Sequence, residues 1–307
     1  VKLGIIQSAP VFLDKQKSVQ RILEFMREGA DQSVDLVAFG ETWLSGYPAW
    51  LDFCPGAGLW DNAEVKKVYA QTFESAVTID SPEIAQVCEL AAKTRQIVVL
   101  GINERVARGR GNRSLFNSIV TITADGNVAN VHRKLVPTFT EKLVYSHGDG
   151  AGLQSVDTPH GRVGSLVCWE HWLPMARQAM HNSGEDIHFA LWPWVHDKHQ
   201  LACRHYAFEA RCYVVGVGQI MTADVFPSGL QLPAGFDPSE PVLKGGSCVV
   251  QPNGEYLLPP DFETDGLICV DVEPRAMGIE EQMTLDVTGN YARWDVFDFK
   301  VNATRPD

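Results

Sequence analysis

Apolar positions along the chain change their period repeatedly, and each change marks an element. Residues 2–8 hold a short apolar run that reads as a strand, and residues 16–30 bring Val19, Ile22, Leu23 and Met26 onto one face at helical spacing. Residues 34–39 are almost continuously apolar, the pattern of a strand covered on both faces. Helices are predicted over 63–75 and 82–95, the second opened by Ser81 as N-cap and Pro82 in the first turn. A further buried strand covers 97–103. Residues 115–123 and 128–133 then pair as a hairpin around Asp125-Gly126. Residues 155–158 and 163–167 flank a tight Pro159-His160-Gly161 turn. Helix 175–182, strand 187–192, helix 197–211 and strand 213–219 continue the alternation, and 246–251 closes with 267–272 around Asn253-Gly254. Hairpins mixed with strand–helix alternation predict an α/β fold of two sheets packed face to face, with helices outside.

Composition narrows the picture without redirecting it. The chain has 307 residues, 45% of them hydrophobic, and no linker-like stretch, so one compact domain over 1–307 is expected. No run of about 18 apolar residues exists, so no membrane span is expected. The first residues read as a strand and not as a secretory leader, which makes the cytoplasm the expected location. A formal net charge of −12 without a basic cluster argues against nucleic-acid and anionic-membrane partners. Seven cysteines with no CxxC pair suit free thiols, most of them small core residues. His196, His199 and His205 lack the spacing of a metal-ligand set, and no metal is expected.

Three segments could carry chemistry. In Phe39-Gly40-Glu41-Thr42-Trp43 a carboxylate follows an apolar strand, where α/β folds place ligand groups; taken alone it also suits a solvated loop glutamate. In His132-Arg133-Lys134-Leu135-Val136-Pro137-Thr138 a lysine ends a hairpin strand with Glu141 seven residues on, a pattern that equally suits an exposed basic edge. In Gly164 to Trp172 an apolar strand runs into Cys168, followed at once by Trp169-Glu170-His171. That strand–turn–helix setting presents a nucleophile and leaves backbone N–H groups free to bind an anion. A buried core cysteine is the alternative. A thiol needs a base or cation to become thiolate near neutrality, and Glu41, Lys134 and Glu141 are candidates.

Glutamate, lysine and cysteine in this order resemble the nitrilase superfamily of carbon–nitrogen hydrolases. Glu41-Thr42-Trp43 with Gly46-Tyr47-Pro48, the lysine segment with Glu141, and Cys168-Trp169-Glu170-His171 are similar to its nitrilase branch. Gly148-Asp149-Gly150, Trp192-Pro193 and Gly289-Asn290-Tyr291-Ala292-Arg293 extend the likeness over nearly the whole chain. Gly40, Ser146-His147, Asn290 and Trp294 depart from the usual residues and leave the catalytic positions intact. The resemblance implies a four-layer α-β-β-α sandwich and a homodimer or larger homo-oligomer, with residues 285–307 packing at a subunit interface. It implies no cofactor, with Glu41, Lys134 and Cys168 as catalytic triad and Glu141 as supporting carboxylate. The expected activity is hydrolysis of an organic nitrile by water to the carboxylic acid and ammonia. An amidase, carbamoylase or cyanide-hydrolysing enzyme with the same triad is the alternative, and a Cys–His enzyme using His171 or His132 is a more distant one. Substrate contacts are expected from Trp169, Tyr47, Trp192 and His171, and from the aromatic loop that holds Trp43, Trp50, Phe53 and Trp60.

Overall fold

The computed structural model describes residues 1–109 and 111–305, so the last two positions of the expected 285–307 segment lie outside the described residues. In chain order, β1 (Lys2–Ile6), α1 (Lys15–Asp31) and β2 (Leu36–Leu44) lead to α2 (Trp50–Phe53), α3 (Ala63–Ser75) and α4 (Pro82–Thr94). Next come β3 (Ile97–Arg105), β4 (Leu115–Ile122) and β5 (Val128–Arg133). The second half runs β6 (Val156–Thr158), β7 (Gly161–Val167), α5 (Pro174–Ser183), β8 (Ile187–Leu191), α6 (Asp197–Ala210) and β9 (Tyr213–Val217). It finishes with β10 (Ile220–Thr222), β11 (Pro241–Lys244), β12 (Ser247–Val250), β13 (Tyr256–Asp261), β14 (Leu267–Asp271) and α7 (Ala276–Glu281).

Two six-stranded sheets result, in the orders β14-β1-β2-β3-β4-β5 and β13-β12-β9-β8-β7-β6. Each has three parallel central strands and antiparallel strands at its margins. Strand alternation builds the layers. Leu3, Ile5, Leu36, Ala38, Ile97 and Val99 face the second sheet, where Val163, Phe189 and Val215 belong to the same core. Their neighbours Ile6, Val37, Phe39, Val98 and Leu100 turn outward onto Val19, Ile22 and Met26 of α1 and Ile84 and Val87 of α4. Helices α5 and α6 cover the other sheet through Met180, Cys203 and Tyr206. The expected four-layer α-β-β-α sandwich is the observed fold. No helix among the described residues is long and apolar enough to cross a membrane.

Two strand readings need correction. Asn253-Gly254 does turn a hairpin, but it joins β12 to β13, whereas β14 leaves for the first sheet and pairs with β1. The β2 strand also runs five residues past Phe39, with a register break between Phe39 and Leu44 and a positive φ of 45° at Thr42. That break lifts Glu41 out of the regular ladder at the carboxyl end of a parallel strand. Cys168 directly follows β7, and Trp192 directly follows β8. The carboxyl ends of parallel strands from both sheets therefore meet at one place, the usual location of a site in such folds. Beyond α7, residues 285–305 leave Tyr291, Trp294, Val296 and Phe297 exposed, and Arg305 returns to bond Asp149 and the Val131 carbonyl.

The break around Glu41 is accommodated by a glycine. A Cβ on Gly101 of β3 would overlap the Gly40 carbonyl oxygen and stand 2.7 Å from the Thr42 nitrogen, whereas one on Gly58 would meet nothing. Gly101→Ala is therefore expected to cost about 1–3 kcal/mol in denaturant unfolding, the range for overpacking a filled interior. Gly58→Ala is expected to stay within about 0.5 kcal/mol of the parent. Equal stability of the two variants would contradict this packing.

Candidate active site

Glu41, Lys134, Glu141 and Cys168 are brought together with almost no contact to solvent; Lys134 is 1% exposed. Three of the four come from strand ends. Lys134 follows β5, where its N–H donates to the Asn117 carbonyl at 2.8 Å. Its ammonium donates to Glu41 Oε1 at 2.8 Å and to Glu141 Oε1 and Oε2 at 2.9 and 2.7 Å. Asn117 of β4 donates a second bond to Glu41 Oε1, and Tyr47 donates to Glu141 Oε1 at 2.9 Å. The Glu41 backbone is pinned to the opposite sheet: its N–H reaches the Trp192 carbonyl, and Gln219 Nε2 donates to its carbonyl. Glu141 sits in a 3₁₀ turn, Phe139–Leu143, and accepts from the Thr138 N–H at 2.8 Å.

Glu41 Oε2 has no partner. One ligand atom each from Glu41, Glu141 and Cys168 lies within 4.8 Å of the others, so a carboxylate oxygen of Glu41 and the sulfur share a small space. The same donor set could hold a cation, and the Lys134 ammonium already supplies that charge through its three bonds to the carboxylates. The fit to a metal ion is therefore poor.

Burial sets the protonation states. It pushes the Glu41 carboxyl up to about 7, with Lys134 opposing and the Glu141 charge reinforcing the rise. It also pushes the Cys168 thiol well above its usual value, helped by the Glu41 charge and opposed by Lys134 and the Trp169 N–H. Burial alone would lower Lys134, but the negative charge Cys168 would carry if ionised, and those of Glu141 and Glu41, hold it well above the ordinary lysine range. The resting cluster is a neutral thiol, a permanent ammonium and two carboxylates, one of them poised to take a proton near neutrality. Moving the thiol proton onto Glu41 leaves the net charge of the cluster unchanged. A free-standing thiolate would add a second uncompensated charge, which a dry site penalises heavily.

Glu170 ties the cysteine and lysine segments together. It accepts from the Leu135 N–H at 2.7 Å, the Val167 N–H at 2.8 Å and His132 Nε2 at 2.8 Å. Burial works against its charge, but His132 and these N–H groups hold the carboxyl below its ordinary range. Cys168 itself has a φ of +53°, a left-handed conformation that costs a non-glycine residue about 1–3 kcal/mol and needs such bracing.

Cys168 and Glu141 open onto a cavity of about 250 Å³ lined by Tyr47, Phe53, Phe139, Trp169, Trp194 and His199, among others. Of the expected substrate contacts, Trp169 and Tyr47 line this cavity. Trp192 and His171 do not: both are buried behind the cavity wall, stacked on each other with ring centres 4.8 Å apart. The aromatic loop likewise contributes Tyr47 and Phe53, while Trp43 and Trp50 are core residues and Trp60 is 93% exposed. Sequence reasoning missed Asn117, whose signal was a lone amide inside an apolar strand. It also passed over His196 and His199, which line the cavity beyond the end of β8. Burial, with His196 adding to it, lowers His199 to about 3, so this ring is neutral. Lys134 is no exposed basic edge, and the neighbouring Arg133 is itself paired with Glu104.

The match to known proteins follows the same lines. Residues 2–278 match the carbon-nitrogen hydrolase family. The chain is 34% identical over 304 residues to Nitrilase 2 of an unknown prokaryotic organism, covering 98% of this chain and 92% of that one. It is 30% identical over 307 residues to the aliphatic nitrilase of Sinorhizobium fredii (strain HH103), covering 98% and 95%. The crystal structure of Saccharomyces cerevisiae Nit3, a member of branch 10 of the nitrilase superfamily, shares the fold with a TM-score of 0.68 at 17% identity, covering 97% of each chain. With the family pattern spanning the sandwich from β1 to α7, this chain belongs to the carbon-nitrogen hydrolase family.

Proposed function

We propose that the protein is a nitrilase, converting a small organic nitrile and two waters to the carboxylic acid and ammonia. The observation that carries the reading is a Glu41 carboxylate oxygen within 4.8 Å of the Cys168 sulfur, with Glu41 Oε2 unpartnered and the Lys134 ammonium bonded to Oε1. Preference for a nitrile over an amide rests on the likeness to proteins named nitrilases across nearly their whole length.

Glu41 takes the Cys168 proton as sulfur adds to the nitrile carbon. Lys134 and the Trp169 N–H meet the negative charge that grows on nitrogen, the role of an oxyanion hole moved to an imide anion. Glu41 passes the Cys168 proton to that nitrogen, which gives a thioimidate and restores the carboxylate. Glu41 then deprotonates a water that adds to the same carbon, the carbon–nitrogen bond breaks, and ammonia leaves a thioester. A second water, activated in the same way, cleaves the carbon–sulfur bond and returns the thiol. Glu141 keeps Lys134 charged and in place through two of its three bonds. Of the two histidines a Cys–His alternative would need, His171 is committed through both ring nitrogens, to the Cys168 carbonyl and to His188, and His132 is held through Nε2 by Glu170.

The cavity lies below the range of about 300–1,000 Å³ usual for drug-sized ligands, and its aromatic lining suits a small apolar or arylaliphatic side chain. The exposed Tyr291, Trp294, Val296 and Phe297 fit a contact between copies of the chain in a homo-oligomer.

A matched nitrile and amide with one arylaliphatic side chain test the reading directly. Ammonia and acid are expected from the nitrile, with turnover reduced by at least about 10²-fold in Cys168→Ala and in Glu41→Gln while both remain folded. Ammonia from the amide alone would sink the nitrilase assignment. The pH profile is a second test. Glu41 acts as base only when ionised, so kcat/KM is expected to fall about tenfold per unit as pH drops below about 7 and to level off above it. A rate that climbs past pH 9 with no break near 7 would make thiol ionisation, and not Glu41, the limiting titration.

A further inference from the structure

Behind the nucleophile lies a buried polar chain that the proposed reaction does not use. His171 Nδ1 is 2.7 Å from the Cys168 carbonyl oxygen, and His171 Nε2 is 3.0 Å from His188 Nε2. His188 Nδ1 is 2.6 Å from Glu185 Oε1, and the Tyr206 hydroxyl donates to Glu185 Oε2 at 2.6 Å. All four side chains are buried, in a core where apolar residues would pack at lower cost.

Hydrogen-bond complementarity fixes where the protons sit. A carbonyl oxygen only accepts, so His171 Nδ1 carries hydrogen. Burial and His188 hold the His171 ring well below the ordinary histidine range, so it is neutral and Nε2 is an acceptor. His188 Nε2 must then donate to it. Burial opposes the Glu185 charge, but His188, His181 and Tyr206 hold that group as a carboxylate, so His188 Nδ1 donates as well. The chain therefore leads from the Glu185 carboxylate through His188 and a neutral His171 imidazole to one peptide group.

That peptide joins Cys168 to Trp169, and its N–H is the one set against the sulfur. We propose that His171 is a positioning residue that orients and polarises the Cys168–Trp169 peptide, with His188 and Glu185 as its hydrogen-bonded support; this rests on the reading of the Trp169 N–H as an anion-binding donor. A hydrogen bond accepted at the carbonyl oxygen draws electron density from the amide nitrogen and strengthens its N–H as a donor. It also pins the peptide that follows a residue held at a φ of +53°.

The test compares His171→Leu, which fills the space without a donor, with His171→Asn, which puts an amide N–H in place of Nδ1–H. For His171→Leu, kcat is expected to fall about 10- to 100-fold with KM within about twofold, because the donor acts on charge that develops during reaction. Alkylation of Cys168 by iodoacetamide, followed by peptide mass against the Cys168→Ala protein, is expected to slow by about tenfold; His171→Asn should recover most of both rates. Unsubstituted protein labelled with ¹⁵N-histidine is expected to hold the Nδ1–H tautomer at His171 from about pH 5 to 9. The inference is overturned by parent-like kcat and alkylation in His171→Leu, by equal losses in both variants, or by an Nε2–H tautomer. The tautomer decides the matter if His171→Leu fails to fold. A parent enzyme active only on amides would sink the nitrile reading, while the alkylation and tautomer measurements would still decide the role of His171.

Discussion

An ammonium cut off from water must be held by anions, and Lys134 is held by two. Its three hydrogen bonds to Glu41 and Glu141 join the end of β5 to a strand break in β2 and to a 3₁₀ turn. Breaking a buried pair of this kind costs about 3–5 kcal/mol, because the abandoned charge has nowhere to go. The same neutralisation decides the chemistry. With one cation shared by two carboxylates, a single excess negative charge remains, and burial together with the Glu141 charge makes it costly on Glu41, whose carboxyl is pushed up to about 7. Glu41 is thus a base near neutrality, while Cys168 stays protonated until that base takes its proton.

Such a cluster survives only inside a frame that resists relaxation. Glu170 clamps the Val167 and Leu135 N–H groups, so the Cys168 turn and the segment after Lys134 are tied to one carboxylate. Gly101 leaves room for the displaced Gly40–Thr42 backbone, and Trp192 holds Glu41 across the two sheets through its carbonyl. Left-handed φ angles at Thr42, Phe139 and Cys168 surround the Glu41–Lys134–Glu141–Cys168 cluster, and each needs such over-determination to persist.

Much of this was legible in the sequence. The parallel strands announced themselves as unbroken apolar runs, and Asp125-Gly126 marked its hairpin. The pairing of β13 was obscured by Pro259 and Pro260, which remove ladder donors and are tolerated because β13 is an edge strand. The β14 crossing into the other sheet had no local signal, because pairing with β1 depends on a contact more than 260 residues away in sequence. Glu41, Lys134 and Cys168 each suited a bland role alone, since their burial is a tertiary property, and only their order made them a site. Adjacency misled at His171 and Trp192: a residue three positions after Cys168, or just past a strand end, can face the core as easily as the cavity. The aromatic loop misled for the same reason, with Trp43 packed on Phe39 and Trp60 left in solvent.

The most direct measurement is the intact mass of the protein, rapidly quenched during turnover of an arylaliphatic nitrile, with the modified peptide then sequenced. An adduct of thioimidate or acyl mass on Cys168, absent from Cys168→Ala, is the result expected of a buried thiol activated by Glu41 and served by Lys134. Turnover with no adduct, or with the label on another of the seven cysteines, would contradict it.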